Sequence, residues 1–140
     1  MGEKGAIEYR PTPEYLHVTV IGLRTREFVS RFFREIPERC ARLGCSRLLI
    51  EMRLEGEPLN VSTIFDLVRH FIAEIKAQRD PISVVAFVGP YRDIPRLAEI
   101  ASANRAVQIG GFTEIAPAES WLLGMTGGDP PEVVRRDTKS

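Results

Sequence analysis

Apolar and polar positions alternate near the start of the chain. Residues 15–21 alternate and are rich in β-branched side chains, which predicts a strand that ends at Gly22. The partly apolar segment 6–10 is followed by Pro11-Thr12-Pro13. Because proline cannot continue strand pairing, we predict an edge strand there. The short link between the two segments predicts an antiparallel hairpin.

Apolar residues then recur at helical spacing in two long segments. The first follows Thr25, a good N-cap; Pro37 inside it should kink or split the helix, and Gly44 should end it. Its apolar positions are Phe28, Val29, Phe32, Phe33, Ile36, Cys40 and Leu43. The second helix is capped by Asn60 or Ser62. Its apolar positions are Val61, Ile64, Phe65, Val68, Phe71, Ile72 and Ile75.

The remaining pattern completes an alternation of strands and helices. Strands are predicted at 46–52, 82–88 and 106–112, a polar loop at 53–58, a third helix around 94–101 and a final helix at 117–123. The order ββαβαβαβα predicts one α/β domain, with a mostly parallel five-stranded sheet, helices on both faces and an antiparallel N-terminal edge. We assign this domain to residues 6–124. We expect a flexible N-terminus at 1–5 and a disordered tail at 125–140.

Composition excludes several classes of protein. Lys+Arg and Asp+Glu number 19 each, so the net charge is zero, which argues against a nucleic-acid binder. The first ten residues lack the apolar core of a signal peptide, and no apolar run approaches the length of a membrane span. Cys40 and Cys45 are too few for a disulfide framework. We therefore expect a cytoplasmic protein with reduced thiols and no membrane span.

Catalytic and metal-binding patterns are weak along the chain. The sequence has no Gly-x-Ser-x-Gly nucleophile elbow and no phosphate-binding loop, so we expect neither enzymatic activity nor a cofactor. Asp66, His70 and Glu74 share one helical stripe. No matching ligand occurs elsewhere, which favours a solvated face with a His–Glu pair, and we predict no metal site. His17 lies on a strand, where we expect a hydrogen-bonded structural histidine.

Basic and aromatic residues follow several predicted strands. In an open parallel sheet, ligands bind beyond the carboxyl ends of the strands. Arg24, Arg53, Tyr91 and Arg92 lie in the loops at that end. They are predicted to converge on one rim that could bind an anion or a protein partner. The alternative is that arginines simply decorate these loops.

Three segments resemble one known family. FTEIAPAESWLL at 112–123, VVAFVG at 84–89 and RLLIEM at 47–52 are similar to the SpoIIAA-like family, which shares its fold with STAS domains and with CRAL-TRIO lipid-binding domains. The resemblance covers roughly residues 6–124 and implies a STAS-like domain.

The start of the second long helix departs from the pattern of STAS domains. STAS anti-sigma antagonists carry Asp-Ser-Ser-Gly, with a phosphorylated serine, at the start of the second long helix. This chain has Ser62 and Thr63 near that place but lacks the preceding Asp and the following Gly. The resemblance thus makes Ser62 and Thr63 candidate phosphoacceptors. The alternative is that Ser62 only caps the helix.

Two functions remain open. The first is a non-catalytic regulatory module that works through contact with an unknown protein partner. The second is a small-molecule carrier that binds an apolar or anionic ligand, such as a lipid or nucleotide, as CRAL-TRIO relatives do. The edge strand and the Phe-rich first helix are candidate surfaces for a homodimer.

Overall fold

The computed structural model describes residues 5–78, 82–89 and 107–124. Within them the chain forms β1 (Gly5–Pro11), β2 (Leu16–Leu23), α1 (Arg26–Leu43), β3 (Arg47–Glu55), α2 (Val61–Lys76), β4 (Val84–Val88), β5 (Gln108–Phe112) and α3 (Ile115–Gly124). The helix predicted around 94–101 lies outside the described residues, as do 1–4 and the predicted tail at 125–140.

The five strands form a single sheet in the order β1-β2-β3-β4-β5. β1 pairs with β2 in antiparallel orientation, and the other neighbours are parallel. A tight turn closes the hairpin, because the Thr12 hydroxyl accepts a hydrogen bond from the Tyr15 N–H at 3.0 Å and donates one to the Tyr15 carbonyl at 2.8 Å. The predicted α/β fold with an antiparallel N-terminal edge is confirmed.

Strand order determines where the first two helices lie. Each parallel strand is added beside the previous one, so right-handed crossovers place α1 and α2 on the same face. α3 packs on the opposite face. The order does not reverse among the described strands. The crevice that a reversal opens in doubly wound sheets is therefore missing from this part of the chain.

The helix ends follow the predicted signals. The Thr25 hydroxyl accepts a hydrogen bond from the Phe28 N–H at 3.1 Å, and Gly44 ends α1 in the left-handed conformation at φ 74°. α1 runs without interruption through Pro37, so the proline does not split the helix. Asn60, rather than Ser62, caps α2 by accepting from the Thr63 N–H at 2.8 Å.

β2 and β3 extend further than predicted. β2 passes through Gly22, whose φ of 154° is accessible to glycine, and ends at Leu23. β3 continues to Glu55 instead of turning into a loop after Met52. The parallel register pairs residues 21–23 with residues 53–55. Each strand therefore lengthens the other.

Two apolar clusters hold the sheet between its helices. The larger one joins α1 and α2 to alternate residues of the strands, with Phe32, Phe71 and Phe87 fully buried at its centre. The smaller one lies under α3 and includes Trp121, Leu122, Phe112 and Leu49. Helices on both faces, as predicted, follow from the alternation of side chains along buried strands.

Candidate functional site

Arg24 and Arg53 do not form a common rim. Arg24 lines a cleft on the α1–α2 side of the sheet, together with Met52 and Leu54. Arg53 lies between those two residues in the strand, so its side chain points to the other face. There it contacts Glu51. The other two predicted rim residues, Tyr91 and Arg92, lie outside the described residues.

Arg24 holds the loop that leads into α2. Its side chain donates to the carbonyls of Gly56 at 2.6 Å and Leu54 at 3.3 Å, and its own N–H donates to the Glu55 carbonyl at 2.8 Å. Only 8% of the residue is exposed. The guanidinium is therefore committed to positioning the β3–α2 loop, and it does not extend into solvent as a ligand-binding rim would require.

A polar cluster lies on the α3 side of β2 and β3. We define it as His17, Thr19, Glu51 and Arg53. One Glu51 carboxylate oxygen contacts His17 Nε2 at 3.1 Å and accepts from the Thr19 hydroxyl at 3.5 Å. The other accepts from Arg53 Nε at 2.9 Å. The parallel register places His17 beside Leu49 and Thr19 beside Glu51. Because side chains alternate along a strand, the four members of the polar cluster share one face of the sheet.

Charge balance sets the ionisation of this cluster. Burial alone would raise the pKa of Glu51, but hydrogen bonds from Arg53 and His17, together with their charges, hold that pKa below its ordinary value. The Glu51 side chain is 13% exposed and that of His17 is 10% exposed. His17 is thus a hydrogen-bonded structural histidine, as expected. Both carboxylate oxygens are already used, which argues for a structural rather than a catalytic carboxylate.

Tyr15 connects the polar cluster to α3. Its ring stacks on His17 with 6.5 Å between centroids, and its hydroxyl donates to Glu119 at 2.9 Å. Burial and this hydrogen bond raise the pKa of Tyr15 to about 12. The phenol therefore stays protonated at neutral pH and ties the end of the hairpin to the final helix.

The two candidate phosphoacceptors lie in the first turn of α2. Ser62 is exposed, whereas Thr63 is half-buried and its N–H is bound by the Asn60 cap. A phosphate on Ser62 would be close to the N–H groups that a helix leaves unpaired in its first turn. Their role as phosphoacceptors stays a prediction.

Large apolar side chains surround the same helix end. We define the α2 start surface as Leu59, Val61, Ile64 and Phe65. Val61 is 54% exposed and Phe65 is 45% exposed, while Leu59 and Ile64 are half-buried. Such side chains are usually covered in a folded domain. Helical periodicity predicts Val61, Ile64 and Phe65 on the apolar stripe of a helix, but it does not show that this stripe extends beyond the core.

An apolar cleft of about 50 Å³ adjoins this surface. Leu59 and Ile64 form one wall, and Phe32, Phe33 and Val68 belong to its lining. An engineered cavity that binds benzene measures about 150 Å³. The cleft therefore has room for a small apolar group, and a lipid chain would require the helices to move apart.

The remaining candidate groups make local contacts. The Cys40 thiol donates to the Cys45 carbonyl at 3.1 Å, both cysteines are free thiols, and burial raises the pKa of Cys40 to about 12. His70 contacts Asp66 rather than the predicted Glu74: its Nδ1 lies 2.9 Å from the Asp66 carbonyl oxygen and 3.9 Å from a carboxylate oxygen. Among the described residues, no three potential metal ligands cluster, and no helix is both long and apolar enough to cross a membrane.

Comparison with known proteins establishes the fold. No protein-family model and no curated protein matches the chain. Among solved structures, the chain is similar to an uncharacterized protein of the DUF3478 family with a SpoIIAA-like fold from Shewanella loihica PV-4. The two are 19% identical, with a TM-score of 0.54, and the match covers 87% of this chain and 98% of the other. The predicted SpoIIAA-like fold is confirmed. At 19% identity, this similarity supports the fold and does not assign a function.

Proposed function

We propose that the chain is a non-catalytic, STAS-like protein-interaction module that binds its partner through the α2 start surface. The exposure of Val61 and Phe65, at 54% and 45%, is the observation that carries this proposal. Burial of apolar surface contributes about 25 cal/mol per Å², so two such side chains favour a contact that removes them from water. Exposed apolar groups that lie together mark interaction sites more often than isolated ones do.

The apolar stripe of α2 is longer than the core that covers it. Val61 and Phe65 are four residues apart, and Val68 and Ile72 continue the same stripe toward the C-terminus. The later pair is buried and the earlier pair is not. A partner that packs on the first two turns of α2 would bury the part of the apolar stripe that the domain leaves exposed.

Polar groups border this surface, as they do in protein interfaces. Arg26 at the start of α1 lies 3.6 Å from Asp66 on α2, and their side chains are 59% and 41% exposed. Exposed ion pairs contribute little to stability, so this pair is free to exchange partners on binding. It supplies a polar rim beside Phe65.

Phosphorylation of Ser62 would regulate this contact. The resemblance to STAS antagonists puts a modified serine in this turn, and Ser62 directly follows the exposed Val61. A phosphate adds a charge of about −2 at neutral pH. That charge is favourable at a helix N-terminus but disrupts an apolar interface. We therefore expect the modified domain to keep its fold and lose its partner.

Site-specific photocrosslinking in the native host tests the surface. A photoreactive benzoyl-phenylalanine at position 65 should capture a defined protein. The matched control is position 43 at the end of α1, because Leu43 is also 45% exposed. The captured protein should be missing from the control. Identical products at both positions, or no product at position 65, would count against the proposal.

A binding measurement with the captured protein completes the test. Phe65→Asp should weaken its binding at least tenfold, since about 1.4 kcal/mol corresponds to a factor of ten. Leu43→Asp, with the same change of charge and the same original exposure, should leave binding within about twofold. Thermal unfolding of both variants checks that the fold is retained. Equal effects of the two substitutions would overturn the proposed surface.

The apolar cleft supports a second candidate function, that of a carrier for small apolar molecules. Its lining favours an apolar ligand over a nucleotide, which needs polar partners for its phosphates. Thermal shifts with linear carboxylic acids of increasing chain length test this function. A carrier should be stabilised more by longer chains, and Ile64→Trp, which fills the cleft, should abolish that trend. Shifts that do not depend on chain length would exclude it.

A further inference from the structure

β1 forms one end of the sheet. It pairs with β2 on its inner side, and no strand among the described residues pairs with its outer side. The outer edge of such a strand presents backbone N–H and C=O groups that can pair with another chain. What occupies this edge depends on which groups point outward and on the side chains beside them.

The hairpin turn identifies the outward groups. The Thr12 N–H donates to the Tyr15 carbonyl at 2.9 Å, so these two residues form a hydrogen-bonded pair. Hydrogen-bonded and non-hydrogen-bonded pairs alternate along an antiparallel ladder. The backbone groups that point away from β2 are consequently those of Gly5, Ile7, Tyr9 and Pro11. Pro11 has no N–H, and its place in the outward set means that it costs the hairpin no hydrogen bond.

Charge complementarity selects one way in which two such edges can pair. When two copies pair antiparallel about Tyr9, each Glu8 lies opposite Arg10 of the second copy. Both side chains are exposed, and both point away from α1. Pairing centred on Glu8 would place two like charges opposite each other. Opposite charges directly across two strands are stabilising, and like charges there are destabilising.

The backbone of β1 fits the same register. Tyr9 exchanges both of its outward hydrogen bonds with its own copy, and each Ile7 N–H reaches the Pro11 carbonyl of the second copy. The missing N–H of Pro11 ends the ladder there. On the α1 side, Arg39 lies over the Tyr9 ring at 4.4 Å and fixes its position. The edge is therefore self-complementary, and its short ladder suits a weak, reversible contact.

We propose that the outer edge of β1 binds a second copy of this chain. The two strands pair antiparallel about Tyr9, reciprocal Glu8–Arg10 ion pairs fix the register, and one continuous sheet spans both copies. This contact uses the backbone edge of β1 and none of the residues of the α2 start surface. It is independent of the proposed partner-binding function, and the two proposals can fail separately.

Sedimentation equilibrium of the full chain, from about 1 µM to about 1 mM, tests the proposal. The wild type should show a monomer–dimer equilibrium within this range. Glu8→Arg places like charges opposite Arg10 of the second copy and should raise the dimer dissociation constant at least tenfold. Arg10→Glu should do the same. Glu57→Arg, an exposed charge reversal in the β3–α2 loop, is the matched control and should have no comparable effect.

Charge exchange distinguishes this register from any other pairing of the two edges. The double variant Glu8→Arg/Arg10→Glu restores opposite charges in every pair and should dimerise like the wild type. An equimolar mixture of the two single variants should also dimerise, because each copy then meets the opposite charge. A wild type that stays monomeric to about 1 mM overturns the proposal. So does a dimer that the single variants do not weaken, or that Phe65→Asp alone disrupts. Circular dichroism confirms that each variant is folded.

Discussion

On one face of the sheet, α1 and α2 cover the strands with apolar side chains, including three fully buried phenylalanines. On the other face, α3 covers the β3–β5 half, and the polar cluster lies on β2 and β3. The first face is held by packing and the second partly by charge. The two faces should therefore respond differently to cavities, to loss of charge and to pH.

The face covered by α1 and α2 should show the largest loss of stability from a single substitution. Phe71 is fully buried, stacks on Phe33 at 4.6 Å between ring centroids and meets Phe87 edge to face at 6.0 Å. Phe71→Ala should lower the free energy of unfolding by about 3–5 kcal/mol, measured by urea denaturation. Phe65→Ala, on the same helix but 45% exposed, is the control and should cost less than about 1 kcal/mol. Equal losses would mean that packing does not distinguish the two positions.

Removing one charge from the polar cluster should lower the stability less than removing a buried phenylalanine does. Glu51→Gln keeps the shape of the side chain but replaces charge-assisted hydrogen bonds with neutral ones. We expect a loss of about 1–2 kcal/mol in the free energy of unfolding. Glu55→Gln is the control, because Glu55 is exposed on the same strand and points to the same face. A loss no larger than that of the control would show that the polar cluster contributes no net stability.

The contribution of Glu51 should depend on pH. Because its pKa is lowered in the folded state, the folded protein binds this proton less tightly than the unfolded chain does. The stabilisation is thus complete above the unfolded pKa of about 4.3 and is lost as pH falls through the folded pKa. The stability difference between wild type and Glu51→Gln should shrink steadily as pH falls below this unfolded value. A difference that grows on acidification would contradict this assignment.

Filling the apolar cleft should change the stability least, and it should raise the stability rather than lower it. Val68→Ile adds one methyl group beside the cleft and should raise the free energy of unfolding by up to about 0.8 kcal/mol. Val85→Ile makes the same change at a fully buried position that does not line this cleft, and should destabilise by about 1–3 kcal/mol. Thermal unfolding of the pair measures both signs. Destabilisation by Val68→Ile would mean that the cleft cannot accept even one methyl group.

Much of this architecture could be predicted from local signals. Thr25, Gly44 and Asn60 mark helix ends through contacts within a few residues, and these predictions are confirmed. The polar cluster was missed. His17 and Thr19 are two residues apart, as are Glu51 and Arg53, which signals a shared face on each strand. Their meeting depends on the parallel register across α1, and the sequence of a crossover helix does not encode that register.

The same dependence explains the error at the rim. Arg53 was assigned to the polar loop predicted at 53–58. Pairing with β2 extends β3 through this segment, and the alternation of the strand turns Arg53 away from Arg24. The exposure of Phe65 likewise depends on how much of α2 the other elements cover, which periodicity alone does not give.

The sequential strand order also bears on how the domain is assembled during synthesis. Each described strand pairs with the strand before it in the chain, so no strand must wait for a distant segment before it can pair. A growing chain folds from its N-terminus, so the hairpin leaves the ribosome before the other described elements of this domain. Later strand–helix units then extend the sheet on the side of β5. The β1 edge is thus completed first, and neighbouring nascent chains on one messenger could meet through it before either domain is finished.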